Sequence, residues 1–113
     1  MAEYVQVLTT AGSEEEAEEI GAALLDQGLA ACVQTLGPIV SSYRWQGKLE
    51  RTREWQCLAK TEAGLYEQVE AAIRAVHSYD EPEILAIPVL AGSVGYLDWI
   101  SASVARPSQG DAG

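Results

Sequence analysis

The sequence predicts an α+β domain whose strands and helices follow the order β-α-β-β-α-β, with one more short helix at the end. Three patterns predict it: stretches in which apolar and polar residues alternate, two stretches with apolar residues every three or four positions, and a long β-region that reverses at Gln46-Gly47. With 113 residues, of which 48% are hydrophobic, the chain suits one packed domain. We expect this domain to span residues 1–106 and residues 107–113 to form a disordered tail.

Residues 3–9 form the first predicted strand, because apolar and polar side chains alternate along them. Ser13 and Glu16 then have the spacing of a capping box, in which the hydroxyl accepts from the amide of Glu16 and the carboxylate returns to the amide of Ser13. The first helix ends at Gly28, which suits the left-handed position after a helix. Its apolar stripe consists of Ala17, Ile20 and Leu24.

A long hairpin follows over residues 30–45 and 48–60. Its two-residue loop has glycine in the second position, which favours a primed β-turn. Gly37-Pro38 interrupts the first strand, and because proline cannot donate to a sheet, this strand is expected at an edge or bulged at that point. The turn also sets the predicted pairs, which are Trp45 with Lys48, Tyr43 with Glu50, and Leu36 with Cys57.

The remaining elements complete a split βαβ, or ferredoxin-like, fold. A second helix, a connector over residues 77–82, a short apolar strand over 84–90 and a last short helix follow in turn. In this fold the helices cover one face of an antiparallel sheet with strand order 4-1-3-2, which leaves the second strand at an edge. The apolar positions are Leu65, Val69, Ala72, Ile73 and Val76 in the second helix, and Leu97, Ile100 and Val104 in the last.

The length of the hairpin predicts self-association. Both of its strands are far longer than the usual 5–6 residues or so, and such a hairpin extends beyond the rest of the sheet. The extension would expose backbone amides and carbonyls beside Tyr43, Trp45 and Trp55. Since an unprotected long edge pairs readily with another chain, we expect a homo-oligomer held together by edge strands.

Composition excludes several classes of protein. Seven Lys and Arg residues against 17 Asp and Glu residues give a net charge of −10, which argues against a nucleic-acid partner. No apolar run is long enough to cross a membrane, so no membrane partner is expected. No basic and apolar export signal opens the sequence, and Cys32 and Cys57 do not form a disulfide framework. We therefore expect a cytoplasmic protein with reduced thiols.

Charge is unevenly distributed along the sequence. Residues 1–43 contain no Lys or Arg, and an acidic run lies on the first helix. The run is either a solvated helix face or an acidic surface that meets the basic segment of another subunit. The acidic residues are Glu14, Glu15, Glu16, Glu18 and Glu19, and the basic ones are Arg44, Lys48, Arg51, Arg53 and Lys60.

Over roughly residues 5–104 the sequence resembles the CutA-type divalent-cation tolerance proteins. The resemblance rests on the order and spacing of short motifs along the chain. These are Thr9-Thr10, Leu29 to Val33, Tyr43, Trp45, Gly47, Lys48, Glu50, Lys60-Thr61, His77, Tyr79, Pro82-Glu83 and Tyr96-Leu97-x-Trp99. It implies a ferredoxin-like homotrimer similar to the PII signalling proteins, an association with copper tolerance, binding of divalent metals and no enzymatic activity.

The resemblance also implies a metal site, with copper or another divalent cation as a non-obligatory ligand. His77 is the only histidine, and Glu83 is the carboxylate that we pair with it. The alternative for His77 is a packing or capping role at the end of the second helix. Where some members of the family carry a cysteine and a second histidine, this chain has Thr9 and Val76.

A second candidate site is a cleft between subunits that holds a small anion or a metal complex. Lys48 would supply positive charge, and Tyr79 and Glu83 would supply hydrogen bonds. The alternative is plain interface packing around an aromatic anchor. The cleft residues are Thr10, Trp45, Lys48, Glu50 and Tyr79. Cys32 and Cys57 are interpreted as small buried hydrophobic residues.

Three other functions compete with metal binding. An acylphosphatase-like enzyme would need an arginine near its phosphate loop, and residues 9–13 contain none. An RNA-recognition domain shares the element order but requires a basic field around its aromatic residues, which the net charge of −10 does not provide. The third alternative is a structural or PII-like signalling trimer without metal.

Overall fold

A computed structural model describes residues 3–105, and over them it has the predicted ferredoxin-like order of elements. The four strands form one antiparallel sheet in the order β2-β3-β1-β4, which confirms the predicted topology. The tail predicted for residues 107–113 lies outside the described residues. The elements are β1 Tyr4–Ala11, α1 Glu14–Asp26, β2 Cys32–Trp45, β3 Lys48–Glu62, a 3₁₀ turn Ala63–Leu65, α2 Tyr66–Val76, β4 Ile84–Pro88 and α3 Val94–Ser103.

The core lies between one face of the sheet and the helices α1 and α2. The apolar stripe predicted for α1 is almost fully buried there. Of the stripe predicted for the second helix, Leu65 lies in the preceding 3₁₀ turn and Val76 is only partly buried. The principal core residues are Val7, Ala17, Ile20, Leu24, Cys57, Ala59, Leu65, Val69 and Ile73. No helix within residues 3–105 is long and apolar enough to span a bilayer.

The start of α1 confirms half of the predicted capping box. The Ser13 hydroxyl accepts a hydrogen bond of 3.1 Å from the amide of Glu16, and Ser13 is the N-cap. The carboxylate of Glu16 does not provide the second half, because it accepts hydrogen bonds from the amide and the hydroxyl of Ser78 instead. Glu16 therefore ties α1 to the segment after α2. Gly28 has a φ of 70° after the helix, as predicted.

The hairpin turn is of the primed type, because Gln46 and Gly47 both have positive φ. The pairs predicted next to the turn, Trp45 with Lys48 and Tyr43 with Glu50, are confirmed. The hairpin loop therefore determines the register of the adjoining strands.

Further from the turn, the predicted pairing is wrong by one residue. Leu36 lies opposite Gln56 and not opposite Cys57. The shift arises at Gly37-Pro38, where β2 has one residue more than β3 between paired positions, as the predicted bulge allows. A Cβ atom added to Gly37 would lie only 2.4 Å from the indole ring of Trp55, so glycine lets this ring pack against the bulge.

Beyond the bulge the hairpin leaves the four-stranded sheet. Since β1 pairs with β3 only from Trp55 to Glu62, residues 39–54 form a two-stranded extension, here called the ribbon. The remainder of the described chain is called the body. The longest dimension of the molecule is 49 Å, close to the ~48 Å expected for a 14-residue strand. The exposed apolar residues of the ribbon are Val40, Tyr43, Trp45 and Leu49.

Helix α3 is fastened to the sheet by polar side chains. Tyr4 and Glu62 are paired across β1 and β3, on the face opposite Val5. The hydroxyl of Ser101 in α3 donates to Glu62 and shares a second hydrogen bond with the hydroxyl of Tyr4. The helix therefore lies on the face that α1 and α2 leave free, at the end of the sheet away from the ribbon.

Candidate functional site

The main candidate site is a pocket of about 920 Å³ that begins where the ribbon leaves the body and extends along the ribbon as far as Trp45. Three segments line it: the end of β1, the ribbon, and the connector between α2 and β4. The lining residues are Thr10 from β1, Ser41, Ser42, Tyr43, Trp45, Glu50 and Glu54 from the ribbon, and Tyr79, Asp80, Glu81 and Glu83 from the connector.

The structure brings together five of the seven residues predicted for the two sites. These are Thr10, Trp45, Glu50, Tyr79 and Glu83. Lys48 is exposed at the far end of the ribbon and does not line the pocket. His77 also does not line it, although its neighbour Tyr79 does. Lys48 and His77 therefore stand apart from this pocket, and the ligand roles of all seven residues stay predictions.

His77 links the end of α2 to the end of β1. Its Nε2 donates a hydrogen bond of 2.7 Å to the carbonyl oxygen of Thr10, and its Nδ1 accepts one of 3.1 Å from the amide of Tyr79. The side chain is fully buried. Because both ring nitrogens are engaged, a metal ion bound to His77 would have to displace one of these bonds. The geometry matches the packing alternative for His77, and does not present it as a free ligand.

Glu16 fixes the start of the connector. Its carboxylate accepts from the amide of Ser78 at 2.7 Å and from its hydroxyl at 3.0 Å, and it lies 3.4 Å from Nδ1 of His77. Together with the bonds of His77, these contacts hold residues 77–79 against the ends of β1 and α1. The position of Tyr79 in the pocket is therefore set by the body.

Glu54 is the most buried of the pocket carboxylates, and it is one of the lining residues that the sequence interpretation missed. It is only 8% exposed, and its two oxygens accept hydrogen bonds from Ser41 at 2.7 Å and from Tyr79 at 2.9 Å. Within residues 3–105 no cationic side chain forms an ion pair with it. The hairpin register could have identified it, because Glu54 follows Glu50 at a spacing of four on one strand and so shares its face.

Tyr79 remains a neutral hydrogen-bond donor over the physiological pH range. Burial, and then the hydrogen bond to Glu54 and the charge of its carboxylate, raise the pKa of Tyr79 to about 12. Gly12 leaves room for the phenol, since a Cβ atom there would lie 3.3 Å from the Tyr79 hydroxyl. The bond from Tyr79 to Glu54 thus joins the connector to the root of the ribbon.

The pocket has a strongly negative field. Among the residues that the structure describes, its lining contains five carboxylates and no Lys, Arg or His. Only Glu81 is compensated, by an exposed ion pair of 3.1 Å with Arg74. Such a field attracts cations and repels anions. The small-anion ligand predicted for this cleft is therefore not favoured, because Lys48, its expected source of positive charge, lies outside the pocket.

The donors available in one chain do not form a ready metal site. No group of three His, Cys, Asp or Glu side chains converges on one point anywhere between residues 3 and 105. Both cysteines are free thiols. Cys57 is buried, as predicted, and its burial raises the pKa of the thiol to about 11, whereas Cys32 is only partly buried. The residues present thus do not fit a resident metal ion within a single subunit.

The split βαβ sheet, the ribbon and the acidic pocket at its root define a small ferredoxin-like domain built to present a hairpin. The chain belongs to the CutA1 divalent ion tolerance proteins, whose family model matches residues 5–103. This confirms the resemblance stated from the sequence.

Individual relatives align with this chain over most of their length. The chain is 40% identical over 94 residues to the divalent-cation tolerance protein CutA of Thermus thermophilus, which covers 83% of this chain and 91% of that protein. It is 42% identical over 98 residues to the protein of that name from Archaeoglobus fulgidus, covering 87% and 95%. The crystal structure of CutA1 from Oryza sativa has a TM-score of 0.89 at 30% identity, covering 92% of this chain and 95% of that one.

Proposed function

We propose that this chain acts as a cytoplasmic homotrimer in the response to divalent cations, copper included. In this proposal the pocket at the root of the ribbon is its ligand site and lies at a boundary between copies. The observation that carries the proposal is the acidic lining of the pocket beside a ribbon whose apolar side chains are exposed, namely Val40, Tyr43, Trp45 and Leu49. A reducing compartment agrees with the two free thiols.

The exposed ribbon supports the assembly. Trp45 is 60% exposed and Leu49 is 68% exposed, and an isolated two-stranded hairpin is only marginally stable in water. The open edges belong to different strands, β2 and β4. Pairing between unlike edges is a heterologous contact, which forms a closed ring when the rotation between copies closes. Further exposed apolar residues near the β4 edge, Leu90 and Val94, provide a second surface to cover.

A boundary between copies also supplies what one subunit lacks. Divalent cations require several donor atoms around one point, and the described part of a single chain does not bring three such residues together. Glu50 and Glu83 line the open part of the pocket and are the donors to which a second copy could add others. We therefore propose that divalent ions are bound between subunits and not inside one.

Copper titration of the untagged protein tests this proposal. We expect a trimer in sedimentation, and binding of Cu²⁺ that Glu54→Gln and Glu83→Gln weaken about tenfold or more, because each removes a charge from the pocket. The matched control is Glu67→Gln, since Glu67 is an exposed carboxylate on α2 outside the pocket. Affinity that is the same in all these variants would contradict the proposed site.

Electron paramagnetic resonance then distinguishes the pocket from His77. The chain contains one histidine, so coupling of Cu²⁺ to an imidazole nitrogen can come only from His77. We expect oxygen donors and no such coupling, because both nitrogens of His77 are hydrogen-bonded. A clear imidazole signal would restore the metal role that the sequence predicted for this residue.

The second candidate is a structural or PII-like signalling trimer that binds no metal. The lack of three converging donors within the described residues favours it over a metal site inside one subunit. A trimer that binds none of the divalent ions tested would support this candidate.

A further inference from the structure

We infer that the pocket is built for an organic ammonium group on an alkyl chain, in preference to a bare metal ion. The inference rests on the proposed role of this pocket as the ligand site and specifies the class of ligand. It follows from four features of the pocket: the spacing of its carboxylates, its free acceptor atoms, its aromatic walls and its size.

The carboxylates are arranged for a spread-out ligand. A metal ion needs its donor atoms within about 2.0–2.6 Å of one centre. The pocket contains five carboxylates, yet no three acidic, His or Cys residues in the described chain converge in that way. An ammonium group makes hydrogen bonds of about 2.7–2.9 Å, and a chain with a second cationic or polar end can reach carboxylates that lie apart.

Two buried side chains at the floor of the pocket have acceptor capacity to spare. Thr10 is 5% exposed and lines the pocket, its carbonyl is used by His77, and its hydroxyl offers two acceptor lone pairs. Glu54 accepts two hydrogen bonds, whereas a carboxylate offers about four lone-pair sites. These are the atoms that an ammonium group, with three N–H donors and no acceptor, would bind.

The sheet register places these two side chains next to each other. Thr10 lies opposite Gln56, and Glu54 is the next residue of β3 on the same face. Diagonal neighbours of this kind are about 7–8 Å apart at Cα, which is within reach of a long side chain such as that of Glu54. A single ammonium group can therefore contact the Thr10 hydroxyl and the Glu54 carboxylate at once.

The walls and the volume suit an alkyl chain behind that group. Tyr43, Trp45 and Tyr79 line the pocket, and aromatic rings of this kind attract organic cations. The volume of about 920 Å³ is in the range of small-molecule sites and far exceeds the space of one ion. The ammonium group has two sources: a free small amine, or Lys48 from the ribbon of a second copy.

Calorimetric titration with 1,5-diaminopentane tests the inference, with 1,5-pentanediol as the uncharged isostere. We expect saturable binding of the diamine and at least tenfold weaker binding of the diol. Glu54→Gln should weaken diamine binding at least tenfold, and Thr10→Val about three- to tenfold. Glu67→Gln, outside the pocket, should have no effect. The folded state of each variant is checked by its circular dichroism spectrum.

Two results would overturn the inference: diol binding as tight as that of the diamine, or diamine binding that neither Glu54→Gln nor Thr10→Val weakens. If Glu54→Gln does not fold, Thr10→Val together with Trp45→Leu decides the question, since both should weaken the diamine. The variant Lys48→Gln identifies the source. Tighter diamine binding in it supports Lys48 of a second copy as the ordinary occupant, and unchanged binding supports a free amine.

The same protein titrated with Cu²⁺ separates this inference from the proposed function. Copper binding at the pocket without diamine binding overturns the inference and leaves the proposed function standing. If the protein binds the diamine but binds no divalent ion, the proposed metal response is overturned and the inference is supported.

Discussion

The body and the ribbon share the strands β2 and β3 but not their surroundings. In the body, Cys57, Ala59 and Thr61 of β3 alternate with less buried residues and are almost completely shielded by helices. In the ribbon the same strand continues over residues 48–54, and of these only Glu54 is buried. Strand geometry is thus common to both regions, and what differs is whether another layer covers the side chains. The body has its cover within the chain, and the ribbon requires it from outside.

Charge follows the same division. Four of the seven basic residues, Arg44, Lys48, Arg51 and Arg53, lie on the ribbon, while α1 of the body carries five glutamates. Cation-rich strands resist indiscriminate edge pairing, because like charges on two ribbons repel. Opposite charges on ribbon and body would steer the ribbon of one copy toward the body of another.

The largest expected effect is a loss of fold stability in a body variant that a ribbon variant does not share. Leu24→Ala removes a side chain that is 1% exposed, and we expect it to lower the free energy of unfolding by about 2–5 kcal/mol. Leu49→Ala changes a ribbon residue that is 68% exposed, so its effect should fall on assembly and not on the fold. Urea unfolding at several protein concentrations, with sedimentation, measures both. An equal loss of fold stability in the two variants would contradict the division.

The junction of the two regions gives the next effect. Gly37→Ala would bring a Cβ atom to 2.4 Å from Trp55, and we expect this overpacking to destabilise the protein by about 1–3 kcal/mol. Gly95→Ala is the control, because a Cβ atom there meets nothing within 4 Å and α3 gains a better helix former. Thermal unfolding of both variants checks the expectation. A neutral Gly37→Ala would mean that the bulge can relax away from the ring.

The smallest effect concerns pH. The pKa of Tyr79 is raised from 10.0 to about 12 in the folded state, so its contribution to stability is complete below pH 10 and is lost as the pH rises toward 12. Tyr79→Phe should therefore make the decline of stability in this window shallower. Selective NMR of the Tyr79 ring carbon follows the titration, and Glu54→Gln should move the midpoint down. An unchanged midpoint in Glu54→Gln would rule out Glu54 as a cause.

Much of the fold follows from local signals in the sequence. The capping by Ser13, the left-handed Gly28 and the primed turn at Gln46-Gly47 each depend on residues within a few positions of one another. The register next to the turn follows from the turn itself. The register error began at the bulge, because the sequence around Gly37 does not state whether the extra residue is absorbed or shifts the pairing.

The site was only partly predictable because its critical bonds join distant segments. Glu16 met Ser78 and not its own helix start, and the bond from Tyr79 to Glu54 crosses 25 positions of the chain. His77 has a side chain of the type that binds metals, but its two ring nitrogens are hydrogen-bonded to the carbonyl of Thr10 and the amide of Tyr79. No pattern of neighbouring residues in the sequence shows which of several possible hydrogen-bond partners a side chain takes.

By itself the sequence determined the elements, their order, the long hairpin and the family, since periodicity, caps and turns act over a few residues and are written in the order of the chain. Only the tertiary structure decided that Glu54 is buried between two hydroxyls, that His77 is a linker, and that the pocket excludes basic side chains. The physical reason is that burial and hydrogen-bond partnership are set by whichever groups folding brings together. Those groups lie on different elements, and their competition is resolved only in three dimensions.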